Sequence, residues 1–233
     1  MPLYKSISVN TQTTVKIWKI EESYDDLMAP LDLKSNSLER VLGMKSELHQ
    51  RGFLSVRHLL REFGYTDQDL FYDDNGKPHL KDGKQISITH SFTFSGVIIS
   101  ENKVGIDIET QRDKIAVIAK KFVDYEFSYL KPDAEDYVRK LTVIWGIKES
   151  LYKLFATPGM LFREHFLVIP FTFETQMNKS NQLLCLIVHQ VPLILLVSIS
   201  PKHSQLVGLY YRCFLSQNEV EHRRQFAIYL EGL

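Results

Sequence analysis

Cysteine is scarce in this chain: Cys185 and Cys213 are the only two among 233 residues, and they form no Cys-x-x-Cys motif. No histidine cluster of zinc spacing accompanies them, so neither a disulfide framework nor a structural zinc site is expected. A charge imbalance is missing as well. The 28 Lys and Arg residues equal the 28 Asp and Glu residues, so no global field marks nucleic acid as a partner. Residues 1–12 carry no apolar segment of the kind a secretory leader needs. The most apolar stretch, 183–199, is interrupted by His189, Gln190 and Pro192. Each half is too short to cross a bilayer and reads better as a strand. A cytoplasmic protein with no membrane partner is therefore expected. Repeats and low-complexity tracts are absent too.

The remaining composition, 44% hydrophobic and 24% charged, suits a chain that buries one large core or two small ones. Its central stretch is Val104-Gly105-Ile106-Asp107-Ile108-Glu109. Along a strand, Ile106 and Ile108 share one face and Asp107 and Glu109 the other. Carboxylates at i and i+2 lie roughly 7 Å apart at the backbone, close enough to converge on one point. They repel unless a cation or a shared proton compensates them. Gly105 leaves room for another backbone or a ligand. An ordinary edge strand with a polar face is the competing account.

Earlier in the chain, Val15 to Ile20 alternates as a half-buried strand does. Asn36 with Glu39 has the capping-box pattern, and Gly64 stands where a helix would be capped, so one long helix is expected between them. Gly52 marks either a break or a close contact inside it. Basic residues gather here, Lys45, Arg51 and Arg57 among them, although Arg51 and Arg57 share no helix face. A solvated face explains most of them, but Lys and Arg also form charge-assisted bonds to phosphate. Asp73-Asp74-Asn75-Gly76-Lys77-Pro78 reads as a tight turn with a solvated Lys77 at its exit.

Gln85 to Ser91 alternates into the polar group Thr89-His90-Ser91, and Phe94 to Ser100 forms another apolar strand. No Gly-x-Ser-x-Gly elbow surrounds Ser87 or Ser91, which speaks against a hydrolase triad. An imidazole flanked by hydroxyls at a strand end suits a phosphate contact. A hairpin is expected to bring His90 near Asp107. Helical spacing recurs over Arg112 to Leu130, and Pro132 is placed to open a further helix with Tyr137, Leu141, Ile144 and Trp145 on its apolar stripe. In that helix Glu149 and Lys153 stand at i and i+4, either as a surface ion pair or, beside Trp145, as part of a site.

Gly76-Lys77-Pro78, Thr89-His90-Ser91, Gly105 to Glu109 and Trp145-Gly146-Ile147-Lys148-Glu149-Ser150-Leu151-Tyr152-Lys153 occur in this order. The ordered set resembles the 4′-phosphopantetheinyl transferase family over about residues 36–170. Two positions depart from the family pattern. Thr89 replaces its first Ser, and Ala156-Thr157-Pro158-Gly159 stands where it often has Gly-Lys-Gly. The length is similar to that of the monomeric, two-lobed members of the surfactin-synthetase-activating type.

The resemblance implies an α+β fold of two similar lobes, each a small antiparallel sheet packed against a long helix, with the ligand site between them. The lobes would be 1–102 and 103–233, divided at the turn Glu101 to Lys103. It further implies transfer of 4′-phosphopantetheine from coenzyme A to a serine of an apo acyl or peptidyl carrier protein, releasing 3′,5′-ADP. Asp107, Glu109 and Glu149 would hold Mg²⁺ or Mn²⁺, Glu149 would accept the serine proton, and Lys153 would meet the diphosphate. Thr89 and His90 would hold a phosphate oxygen, with Lys77 and Pro78 alongside. Lys45, Arg51 and Arg57 are candidates for the 3′-phosphate, Arg57 foremost. The alternative is a non-catalytic module that binds coenzyme A or a carrier protein, but a pure binder has no need of a general base.

Overall fold

The computed structural model describes residues 3–171 and 173, and beyond them six backbone strands together with the Cys185 side chain. The chain divides after Ile108 into two compact units, 1–108 and 109–233.

The first unit opens with β1 (Leu3–Asn10) and β2 (Thr13–Lys19), antiparallel across the turn Thr11-Gln12. Three helices follow: α1 (Tyr24–Met28), α2 (Ser35–Leu42) and α3 (Glu47–Glu62). The one long helix expected from Asn36 is thus two. Lys34, not Asn36, is the N-cap of α2, and the chain leaves the helix at Gly43 before re-entering after Ser46. Gly64, at φ +85°, ends α3 in the left-handed conformation that glycine takes without steric cost. Next come the short hairpin β3 (Leu70–Tyr72) and β4 (Pro78–Leu80), joined by the expected turn. The strands β5 (Gln85–Ser91), β6 (Phe94–Ser100) and β7 (Val104–Thr110) follow.

The sheet runs β1-β2-β6-β5, antiparallel throughout. Alternation gives it two apolar faces. Trp18, Ile86, Val97 and Ile99 form one core with Phe53, Leu54, Val56, Leu59 and Leu60 of α3. Replacing one such leucine, Leu59 for instance, by alanine costs about 2–5 kcal/mol. The opposite face receives β7. Gly96 has no side chain, and the tips of Ile106 and Ile108 fill that space, 3.4 and 3.1 Å from where a Cβ would stand. The backbone amides of Ile106 and Ile108 donate to the hydroxyls of Ser87 and Thr89 at 3.2 and 3.1 Å. Side-chain hydroxyls of β5 therefore bind the backbone of the carboxylate strand.

In the second unit, the helix expected over Arg112 to Leu130 is only α4 (Lys114–Ile118) followed by two short 3₁₀ turns. Its apolar residues Ala119, Phe122, Val123 and Leu130 still enter the core, by way of turns. The long helix α5 (Tyr137–Phe155) starts five residues beyond Pro132, after turns at 132–133 and 135–136. It ends at Ala156 in the left-handed conformation, φ +46°. After it come α6 (Phe162–His165) and β8 (Phe166–Val168). The remaining strands are β9 (Gln182–Val188), β10 (Leu193–Ser198), β11 (Gln205–Tyr210), β12 (Cys213–Ser216), β13 (Gln225–Ile228) and β14 (Glu231–Gly232). Strands β9, β10, β11 and β14 lie side by side and antiparallel, and α5 packs against β9. A smaller sheet joins β12 and β13 to β8, the last pair being parallel. Each unit thus packs a long helix on an antiparallel sheet, as an α+β fold requires.

Candidate functional site

Asp107 is buried on β7, and the hydroxyl of Thr89 donates to its Oδ1 at 3.3 Å. The same Thr89 oxygen accepts the Ile108 amide, so one hydroxyl fixes both the strand and the carboxylate. Consecutive side chains on β5 point to opposite faces. Thr89 faces β7, whereas His90 faces α3, with its ring against Gly52. Gly52 therefore marks a close contact and no break.

Of the other basic residues, Lys45 and Arg51 belong to the N-terminal end of α3. Lys45 is exposed in the link between α2 and α3. Arg51 donates from Nη2 to the Ile20 carbonyl at 3.4 Å, while its buried Nε has no hydrogen-bond partner among the described residues. Lys77 is half-buried at the β3–β4 turn beside Pro78. Burial lowers its pKa first and the Lys103 charge second, against the pull of Asp73.

Arg57 requires a correction. Its guanidinium is 3% exposed, donates to Asp67 Oδ1 at 3.0 Å and lies 3.5 Å from the centre of the Phe53 ring. Asp67 Oδ2 accepts the backbone amide of Lys34. This ion pair ties α3 to the cap of α2 and keeps the guanidinium buried. Helical periodicity places Arg57 among Phe53, Leu54, Val56 and Leu60 on the packed side of α3, where an arginine survives only with an acidic partner.

In the second unit Glu109 is half-buried and accepts a 2.9 Å hydrogen bond from the indole Nε1 of Trp145. The Trp145 ring is fixed in turn by Phe122 and Phe162, at centroid distances of 5.0 and 5.3 Å. Glu149 follows Trp145 by one turn of α5 and Lys153 follows Glu149 by another, both half-buried on the same side of the helix.

Lys148, adjacent to Glu149, is fully buried. Its ammonium donates to Glu126 at 2.7 Å and to the carbonyls of Phe122 and Phe162 at 2.7 and 3.2 Å. Glu126 also accepts the Val168 amide. Burial pushes the Lys148 pKa down, and the Glu126 carboxylate partly restores it. Sequence reasoning passed over this pair. Glu126 sits in a segment read as helix, and nothing in the order of residues points it at Lys148.

Asp107, Glu109 and Glu149 are all carboxylates, the ligand type that Mg²⁺ prefers. Among the described residues, no three metal-binding side chains are gathered within reach of one ion. No helix among them is long and apolar enough to cross a membrane.

Residues 103–192 match the model of the 4′-phosphopantetheinyl transferase superfamily. That range includes the carboxylate strand and α5, but not Gly76 to Pro78 or Thr89 to Ser91. Over 111 residues the chain is 31% identical to enterobactin synthase component D of Salmonella typhimurium (strain LT2). The match spans 46% of this chain and 47% of that protein, about half the length of each.

Proposed function

We propose that this protein transfers the 4′-phosphopantetheine group of coenzyme A to a serine of an apo acyl or peptidyl carrier protein. The observation that carries this reading is the hydrogen bond from Trp145 to Glu109. It joins the two motifs that the superfamily match covers, the carboxylate strand and the helix bearing Glu149 and Lys153. A surface ion pair on a solvated helix would have no reason to sit one and two turns beyond an indole bonded to that strand.

In this reading Glu149 accepts the proton of the attacking serine hydroxyl. The serine oxygen forms a bond to the phosphorus that carries pantetheine, the diphosphate P–O bond breaks, and 3′,5′-ADP leaves. Lys153 offsets the charge that develops on the leaving phosphate. His90, seated against α3, donates to a phosphate oxygen, and half-buried Lys77 supplies a second positive charge. Arg51 and Lys45 take the 3′-phosphate, Arg57 being committed to Asp67. Asp107, Glu109 and Glu149 would hold Mg²⁺ or Mn²⁺, which would neutralise the diphosphate. The protein works as a monomer in the cytoplasm.

The test is to incubate the protein with coenzyme A, Mg²⁺ and an apo carrier protein, and to weigh the carrier by mass spectrometry. A carrier heavier by one phosphopantetheine is the expected result. Glu149→Gln should lower kcat by about 10²–10⁴-fold while coenzyme A still binds, and Lys153→Ala should weaken both. Binding without transfer by the wild-type protein would instead assign the non-catalytic module.

A further inference from the structure

Arg139 is the third residue of α5 and is half-buried. Its Nε and Nη2 atoms are both buried, and neither has a hydrogen-bond partner among the described residues. These two nitrogens form one edge of the guanidinium, from which two parallel N–H groups point the same way. Arg163 uses that edge within this chain, donating from Nε and Nη2 to Asp124 at 3.2 and 2.7 Å. Asp136, three residues before Arg139, pairs with Lys140 at 2.9 Å instead. The centre of the Phe173 ring lies 4.3 Å from the guanidinium carbon of Arg139. An aromatic face attracts the charge of the cation but leaves the N–H groups of its edge without an acceptor. Burial lowers the Arg139 pKa and Asp136 works against that, yet a guanidinium keeps its proton in proteins. A charged edge withdrawn from water without acceptors is unfavourable, and an acceptor with two oxygens would satisfy it.

We propose that the Nε–Nη2 edge of Arg139 is a binding site for a carboxylate. Two oxygens on one carbon match the two parallel N–H groups, and hydrogen bonds between ions are the strong ones. The surrounding charge selects among oxyanions. Asp133, Glu135 and Asp136 stand just before α5, and they repel a doubly charged phosphate about twice as strongly as a carboxylate. Asp136 is the N-cap of α5 and makes no side-chain cap bond, so the positive end of the helix dipole favours an anion of low charge at this turn. Glu149 lies ten residues further along α5, roughly 15 Å along its axis. The site therefore stands whether or not the chain transfers phosphopantetheine.

The Nε–H resonance of Arg139 is assigned in the full-length protein by its absence from the spectrum of the Arg139→Met variant. It is then followed as sodium acetate, sodium phosphate or sodium chloride is added at constant ionic strength. Acetate should shift it saturably, phosphate should shift it less at equal concentration, and chloride should leave it in place. Acetate should also raise the melting temperature of the wild-type protein. Arg139→Lys keeps the charge but has no fork, so its affinity for acetate should fall about tenfold or more and that rise should vanish. If Arg139→Met does not fold, Arg139→Lys supplies the assignment. A resonance indifferent to acetate, or one that answers chloride equally, overturns the site. A stronger response to phosphate overturns its assignment to a carboxylate.

Discussion

Ala156 caps α5 at φ +46° and ψ +40°, a conformation in which an L side chain crowds the following carbonyl. Glycine is the usual residue there. Ala156→Gly should therefore raise stability by about 1 kcal/mol in urea denaturation, and an unchanged or lower midpoint would mean the strain is relieved locally. Arg57 gives the opposite sign. Arg57→Ala removes the cation from a pair whose acid is almost fully buried, leaving Asp67 charged in the core. The expected loss is about 3–5 kcal/mol. A variant that stayed as stable as the wild type but lost affinity for coenzyme A alone would restore Arg57 to the ligand site.

At the scale of the element, α5 is held by a buried charge as well as by its apolar stripe. Lys148 collects Glu126, the Phe122 carbonyl and the Phe162 carbonyl, and so ties the helix to the segment before it and to α6 after it. Lys148→Met fills the volume but strands the Glu126 carboxylate, and should cost about 3–5 kcal/mol by chemical denaturation. The double variant with Glu126→Leu removes both charges and should recover most of that loss. A single variant within about 1 kcal/mol of wild type would show that water or a rearranged neighbour already compensates Glu126. The pair explains why the helix-like spacing of Arg112 to Leu130 gives turns. The segment is pinned by the Glu126 carboxylate in its middle and by the Phe122 carbonyl, which accepts from the Lys148 ammonium where a continuous helix would use it in its own ladder.

For the whole molecule, the reading as a transferase makes the carboxylates answerable to metal. Asp107 is 5% exposed and bonded to Thr89, so Asp107→Asn should keep the fold while losing the charge a cation needs. Mg²⁺ binding measured by calorimetry should fall at least tenfold, and transfer should cease on chelation and return when Mg²⁺ is added. Full transfer by a chelated protein would remove the metal from the reaction. A variant that fails to fold would make Asp107 a structural partner of Thr89.

Local pattern sufficed for the strands β2, β5, β6 and β7 and for the turn at Gly76. Alternation, glycine conformation and capping act over a few residues and need no distant partner. The motifs with Asp107, Glu109, Glu149 and Lys153 were legible for the same reason, since i, i+2 and i, i+4 spacings fix a shared face by themselves. What the order of residues left open was which face meets which neighbour. His90 and Thr89 are adjacent, yet one rests on Gly52 and the other bonds Asp107. Arg57 is the foremost phosphate candidate by sequence, but it finds Asp67 across the packed side of α3. Trp145 reaches Glu109 across 36 residues and Lys148 reaches Glu126 across 22, contacts that exist only once separate segments have packed. Burial then decides the chemistry of each charge, and burial belongs to the tertiary structure.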